Sequence, residues 1–104
     1  MVDMAPVKHY YTGVITTWRH KGPAEVFAAG KSRQVRADHI RKIVRLLDAL
    51  NVATRPEDMN FPGTQFHRLH GQPQRYAVSV NGPWRITFAW EGENAVAVDL
   101  EQYH

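Results

Sequence analysis

A chain of 104 residues with a hydrophobic share of 43% and 22% charged residues has the composition of a folded domain, so we expect one domain over residues 1–104. The absence of cysteine excludes disulfides and thiolate metal sites, and no apolar run reaches the roughly 18 residues of a membrane span. The net charge of +3 suits a polyanionic partner, and the lack of a secretory signal pattern predicts a cytoplasmic protein.

The N-terminal half predicts one strand and two helices. Residues 1–13 follow neither the helical nor the strand period and are interpreted as a loose extension or a cloning remnant. Residues 14–19 are rich in β-branched and aromatic side chains and predict a strand. A short helix is predicted over residues 24–29, ended by Gly30. Apolar residues at helical spacing predict a longer helix over residues 33–51, with Ser32 as its N-cap.

The C-terminal half has the two-residue period of a sheet and predicts strands over residues 75–80, 84–90 and 95–100. The pair Asn81-Gly82 predicts a tight turn and residues 91–94 a longer polar loop, so the strands should pair antiparallel. Arg75 and Arg85 should lie on the face that the helices leave bare. The apolar alternation assigns the following residues to the face under the long helix: Tyr76, Val78, Val80, Trp84, Ile86, Phe88, Trp90, Val96, Val98 and Leu100.

Histidines and arginines are the candidates for chemistry. No HExxH or HxxxH pair is present, so we expect no metal site. RNA can be cleaved without metal when a base deprotonates the ribose 2′-hydroxyl, the freed oxygen attacks the adjacent phosphorus and an acid protonates the departing 5′-oxygen. Histidine suits the proton transfers, and arginine suits the charge that develops on phosphate. The candidates near the predicted sheet are His67, Arg68, His70, Arg75, Arg85, Tyr103 and His104.

Several of these residues have alternative interpretations. His67 shares parity with Leu69, so a regular strand would turn it inward and His70 outward, unless the chain bends near Gly71. Tyr103 could simply cover the core with its ring. The basic side chains of the long helix are either a solvated surface or a contact with ribosomal RNA phosphates; they are Arg36, Arg41, Lys42 and Arg45.

Four segments of the sequence together resemble a known family. They are RHKG at residues 19–22, FHRLHG at 66–71, RYAVSVNGPWRITFAW at 75–90 and DLEQYH at 99–104. From about residue 14 to the end, the chain resembles the HigB toxins, a branch of the RelE-like toxins of type II toxin-antitoxin systems. The resemblance implies an α+β fold, with a small antiparallel sheet and two helices packed on one face. It also implies ribosome-dependent cleavage of mRNA without a cofactor.

The resemblance also implies site residues and partners. The family's active-site histidine falls on His67, its catalytic arginine on Arg85, and its terminal pair on Tyr103 and His104. His70 stands where the family commonly has lysine, and residues 71–74 depart from its usual GDR sequence. The implied partners are the ribosome with its mRNA and an antitoxin of the HigA type, a helix-turn-helix protein through which operator DNA is bound.

Two functions other than a nuclease remain open at this point. The first is a non-catalytic nucleic-acid-binding module that represses an operator. The second is an interaction protein whose sheet edge recruits a partner strand. A nuclease should lose its function with Arg85, whereas an interaction protein should tolerate the loss of the candidate site residues.

Overall fold

The computed structural model describes residues 13–102, which form two helices followed by a four-stranded antiparallel sheet. The helices are α1 (Lys21–Ala29) and α2 (Ile40–Asn51), and 3-10 turns cover Ala37–His39 and Pro56–Met59. The strands are β1 (His67–Leu69), β2 (Arg75–Asn81), β3 (Trp84–Glu91) and β4 (Asn94–Gln102). They lie side by side in the order β1-β2-β3-β4, and the predicted α+β meander is therefore confirmed.

Helix α1 begins at Lys21, three residues before the predicted start. His20 is its N-cap, and the ring Nδ1 accepts a hydrogen bond of 2.8 Å from the backbone N–H of Gly22. Pro23 is compatible with the first turn because an N–H there would have no partner within the helix. Gly30 ends the helix in the left-handed conformation, with a φ of 78°, as predicted.

Helix α2 begins at Ile40, so the predicted start at residue 33 is wrong. Ser32 does not cap this helix, because its hydroxyl accepts the N–H of Gln34 at 2.9 Å and closes a local turn. Arg36 then adopts an extended backbone, with a ψ of 136°, which interrupts any helix between Ser32 and the 3-10 turn. The apolar stripe of α2 is buried as the spacing predicted, through Ile43, Leu46, Leu47 and Leu50.

Residues 13–19 run beside β4 without forming the regular strand that was predicted. Two isolated parallel bridges join them to β4, between Ile15 and Ala95 and between Trp18 and Val98. The start of the segment lies against the end of α2, where the carbonyl oxygen of Asn51 accepts the N–H of Val14 at 3.0 Å. Only glycine permits this approach, since a Cβ on Gly13 would lie 2.0 Å from Cγ of Asn51.

Two-residue turns join β2 to β3 and β3 to β4. Their central residues are Gly82-Pro83 and Gly92-Glu93, with cross-strand pairs immediately outside them. Both glycines have positive φ, 56° and 62°, as tight hairpin turns require. The predicted hairpins are confirmed, although the first turn lies one residue later than the predicted pair and the second is shorter than the predicted loop.

Strand β4 contains a bulge that the sequence pattern did not reveal. It has one residue more than β3 between the pairs Thr87–Asp99 and Ala89–Val96. The extra residue is Ala97, whose φ of 51° is in the left-handed region. An inserted residue reverses the side-chain parity, so Ala95 is buried and Val96 is only half-buried. The prediction that Val96 lies on the face under the helix is therefore wrong.

The helices cover one face of the sheet and form the core with it. Buried side chains of α1 and α2 pack on strand residues that share this face: Val78, Val80, Ile86, Phe88, Val98 and Leu100. Each fully buried apolar side chain contributes about 1.5–3 kcal/mol relative to an exposed one. All six strand residues were predicted on this face, and the opposite face is available for other chemistry.

Packing of α2 on the sheet predicts the cost of shortening one of its side chains. Leu47 is fully buried, and Leu47→Ala should lower the free energy of unfolding by about 2–5 kcal/mol because it leaves a cavity. Val52 follows the same helix but is 76% exposed, so Val52→Ala is the matched control and should change the stability by less than about 0.5 kcal/mol. Urea unfolding measures both. Equal losses in the two variants would contradict this packing.

Candidate functional site

The helix-free face is the side of the sheet that points away from α1 and α2. Residues directly opposite each other in an antiparallel pair have side chains on the same face. The register therefore aligns two rows across this face: His67–Ala77–Thr87–Asp99 and Ser79–Arg85–Glu101. Arg75 follows on the same face of β2, opposite Ala89. The face thus holds both sheet arginines, as the parity of the sequence predicted.

His67 belongs to the helix-free face, which resolves the alternative left open by its parity with Leu69. His67 pairs with Ala77 across the strands, and Ala77 lies two residues from Arg75 on the same face of β2. The pairing of β1 with β2 therefore places His67 on that face. The His67 Nδ1 lies 3.0 Å from the carbonyl oxygen of Gln65. A carbonyl oxygen only accepts, so Nδ1 is the protonated nitrogen. The lone pair of the neutral ring is then on Nε2, and that nitrogen is able to take a proton.

His67 and Arg85 line one pocket of about 150 Å³. Arg85 reaches it from β3, directly opposite Ser79 of β2. The remaining lining residues are Gln65, Ser79, Gly82, Pro83 and Trp84, so the lining combines polar and apolar residues. This pocket places an imidazole and a permanent cation around one small volume, and these are two of the groups that metal-free phosphodiester cleavage needs.

Trp84, the neighbour of Arg85 on β3, packs on the helix side of the sheet against a buried histidine. The ring of His39 is 3% exposed and lies edge-on to Trp84, with 6.1 Å between the ring centres. His39 immediately precedes α2. The start of that helix therefore fixes the orientation of the residue next to Arg85, which keeps the strand rigid at the pocket.

Arg75 is held on the helix-free face by hydrogen bonds to neutral groups. Its Nη2 donates to Oγ1 of Thr87 and to the carbonyl oxygen of Ala97, both at 2.9 Å. The N–H of Ala97 donates to Oγ1 of Thr17, so both backbone polar groups of the bulge residue have partners. The Thr87 hydroxyl in turn donates to a carboxylate oxygen of Glu101. Arg75 thus links β2, β3 and β4.

The environment of Arg75 is unusual for a cation. Burial lowers the pKa of its guanidinium below the ordinary value, and the neighbouring charge of Arg19 lowers it further. Within residues 13–102, its buried Nε and Nη1 have no hydrogen-bond partner. Arginine nevertheless stays protonated at neutral pH. Arg75 therefore adds positive potential beneath the helix-free face.

His70 lines a second pocket and not the pocket of His67. It is an exposed residue of the loop after β1, and this pocket has a volume of about 310 Å³. Arg19, Arg75 and Glu101 also line it. Of the predicted proton-transfer residues, only His67 shares a pocket with Arg85 among the residues that the structure describes. Tyr103 and His104 lie outside the described residues.

Arg68 does not join the other candidates on the helix-free face. It pairs with Tyr76 across the strands, which places it on the side of the helices. Its guanidinium donates to the carboxylate of Glu57 in the 3-10 turn Pro56–Met59, and this bond lowers the pKa of Glu57. The expected convergence of Arg68 with His67 and Arg85 is therefore not found.

The basic residues near α2 differ in their partners. Arg36 forms an ion pair with Asp38, with 3.1 Å between Nε and Oδ1, and this contact lowers the pKa of Asp38. Lys42 donates to the carbonyl oxygen of Gly63 at 3.3 Å. Arg41 and Arg45 are exposed and lie one turn apart on α2. These two arginines have no ion-pair partner among residues 13–102 and offer charge to an external anion.

The pockets include residues that sequence reasoning did not select. Ser79 and Glu101 share the face of Arg85, and parity could have found Ser79, whereas Glu101 follows the bulge in β4. Gln65 and Arg19 lie outside the regular strands, and no periodicity signals their role.

Within residues 13–102, no group of three metal-ligating side chains is close enough to hold an ion. The helices in that range are too short or too polar to cross a membrane.

Comparison with known proteins identifies the family of the chain. The family model described as the RelE-like toxin of type II toxin-antitoxin system HigB matches residues 16–104. The chain is also similar to a protein of Proteus vulgaris named endoribonuclease HigB. The two are 30% identical over 92 residues, which are 88% of this chain and the whole of that protein. With this match over most of its length, and an α+β fold of the expected kind, the chain belongs to the HigB-like family of RelE-like toxins from type II toxin-antitoxin systems.

Proposed function

We propose that this chain is an endoribonuclease toxin that cleaves mRNA on the ribosome and so stops translation. The observation that supports this most strongly is the pocket shared by His67 and Arg85 on the helix-free face. Membership of the HigB-like family and the name of the Proteus vulgaris relative point to the same activity. The proposed reaction needs no metal or other cofactor.

The reaction begins at the ribose 2′-hydroxyl of the nucleotide before the cleaved bond. Nε2 of His67 takes the hydroxyl proton, because Nδ1 is bound to the carbonyl oxygen of Gln65. The 2′-oxygen then attacks the adjacent phosphorus and the bond to the 5′-oxygen breaks. The products are a 2′,3′-cyclic phosphate and a 5′-hydroxyl. Arg85 stabilises the phosphorane, whose negative charge exceeds that of the starting phosphodiester.

The remaining candidates have supporting roles in this proposal. By family resemblance, Tyr103 and His104 complete the site. We assign His104 as the acid that protonates the leaving 5′-oxygen. His70 and Arg75 bind the neighbouring RNA from the second pocket. Arg68 is assigned to stability through its bond to Glu57 and not to RNA binding.

The proposed partners follow from the toxin-antitoxin class. A type II toxin has a protein antitoxin, and we assign it to the HigA type with a helix-turn-helix fold. Operator DNA is bound only through that complex. The toxin acts in the cytoplasm, where exposed Arg41 and Arg45 of α2 contact ribosomal RNA phosphates. Arg36 and Lys42 contribute less to this contact, because each already has a partner within the chain.

Removal of the Arg85 guanidinium tests the nuclease directly. Arg85→Ala should reduce mRNA cleavage by about 10²–10³-fold, because the charge of the phosphorane loses its partner. Growth arrest after induction and mapping of transcript 5′ ends measure the effect. Arg33→Ala removes an exposed arginine outside the pocket and should leave toxicity unchanged. A fully toxic, correctly folded Arg85→Ala protein would refute the assignment and favour a non-catalytic binding module.

The chemistry of the cut ends tests the role of the 2′-hydroxyl. An mRNA with one 2′-deoxynucleotide before the cleaved bond should resist cleavage, since the attacking oxygen is missing. The same replacement one codon upstream is the control and should have no effect. The products should carry 5′-hydroxyl ends, which require phosphorylation before ligation. Cleavage of the deoxy substrate, or 5′-phosphate ends, would indicate attack by water instead.

Salt dependence tests the ribosome contact of α2. Arg41→Ala combined with Arg45→Ala should weaken ribosome binding and lower the slope of log affinity against log salt by about 2, because roughly one counterion is released per phosphate contact. Arg36→Ala should change the slope less, since Asp38 already neutralises this residue. Sedimentation with ribosomes at several salt concentrations measures the slopes. An unchanged slope in the double variant would identify this surface as merely solvated.

A further inference from the structure

The pocket of His67 and Arg85 contains polar groups that the proposed reaction does not use. They are the carboxamide of Gln65 and the hydroxyl of Ser79. Neither side chain forms a hydrogen bond with any residue between positions 13 and 102. Ser79 is fixed by its backbone N–H, which donates to the carbonyl oxygen of Thr64 at 2.7 Å. One donor-acceptor pair and one hydroxyl therefore remain available to a ligand beside the two reacting groups.

Gln65 has a backbone conformation that a glutamine rarely adopts. Its φ of 49° lies in the left-handed region, and such residues concentrate at functional sites. The same conformation accompanies the bond between its carbonyl oxygen and Nδ1 of His67. The backbone of Gln65 thus orients the histidine, while its side chain lines the same pocket. The backbone conformation of Gln65 therefore positions both its own carboxamide and the imidazole of His67.

The rest of the pocket lining is less polar. It consists of Gly82, Pro83 and Trp84. A flat, weakly polar ligand with hydrogen-bonding groups along one edge fits a lining of this mixed character. Within an RNA chain only the nucleobase has this character, since ribose and phosphate lack a planar apolar surface.

We propose that Gln65 is a specificity-determining residue that binds the edge of a nucleobase next to the cleaved phosphate, with Ser79 as a second contact. This inference rests on the proposed nuclease function and deepens it. A carboxamide offers one acceptor and two donor hydrogens, so it pairs with a base edge that presents a donor beside an acceptor. The base is held while His67 and Arg85 act on the adjacent phosphodiester. The toxin itself, and not only the ribosome, then selects the cleaved position.

The test compares the wild type with Gln65→Leu, which has no hydrogen-bonding group, and Gln65→Glu, which only accepts. Both keep the backbone bond to His67. Cleavage is measured on ribosomes programmed with mRNAs that differ in one base beside the cleaved bond. Binding is measured with short RNAs that differ in the same base and carry a 2′-deoxyribose before that bond. Gln34→Glu makes the same charge change at an exposed residue outside the pocket and is the matched control.

The wild type should favour one base by about tenfold, the size of one good paired contact. Gln65→Leu should reduce this ratio towards one, and Gln65→Glu should shift it towards bases that present amino donors. Gln34→Glu should keep the wild-type ranking. Thermal unfolding verifies that each variant is folded, and Gln65→Glu decides the matter if Gln65→Leu is not. An unchanged ranking in both Gln65 variants would overturn the proposal, as would a wild type without base preference.

The outcomes separate this inference from the proposed function. If Arg85→Ala abolishes cleavage while the Gln65 variants keep the wild-type ranking, the nuclease assignment holds and the base site is rejected. If the wild type binds RNA with a base preference that Gln65→Leu removes, yet cleaves nothing, the base site holds and the nuclease assignment fails.

Discussion

The site depends on the register between β1 and β2. Side chains alternate along a strand, so a slip of one residue would turn His67 towards the helices and Arg68 towards the helix-free face. The observed pairing of His67 with Ala77 puts the histidine on the side of Arg85. Two contacts on the other face favour this register: Phe66 stacks on Tyr76, with 5.9 Å between the ring centres, and Arg68 binds Glu57. The proposed chemistry thus relies on packing and an ion pair on the far side of the sheet.

The two faces of the sheet serve different physical purposes. One face buries apolar side chains against α2 and supplies the stability of the fold. The middle of the other face has small side chains, Ala77, Thr87 and Ala89, and these leave room for long cationic ones. Arg75 occupies part of that room and ties three strands together through Thr87 and the bulge at Ala97. Rigidity on this face matters because proton transfer and phosphate stabilisation both require groups held in fixed positions.

Much of this arrangement could be predicted from the sequence, and the failures have physical reasons. The two-residue period placed Arg75 and Arg85 correctly, because a strand that buries one face specifies the other. Predictions from periodicity failed where the backbone is irregular. Val96 was assigned to the wrong face because of the bulge in β4. The helix was started too early because the mostly polar residues 33–39 give no clear signal for or against a helix. The face of His67 and the position of Gln65 depend on pairing in three dimensions, which a single strand does not encode. Tyr103 and His104 stay predictions from family resemblance.

The most direct measurement of the central claim is an NMR titration of the side chains on both faces. A short RNA with a 2′-deoxyribose before the cleaved bond is added to protein labelled with nitrogen-15. The imidazole of His67 and Nε of Arg85 should shift together with one dissociation constant. Nε of Arg68 should not move, because this guanidinium donates through Nη2 to Glu57 on the helix side. Separate dissociation constants for His67 and Arg85, or a shift of Arg68 that follows that of His67, would contradict a single site on the helix-free face.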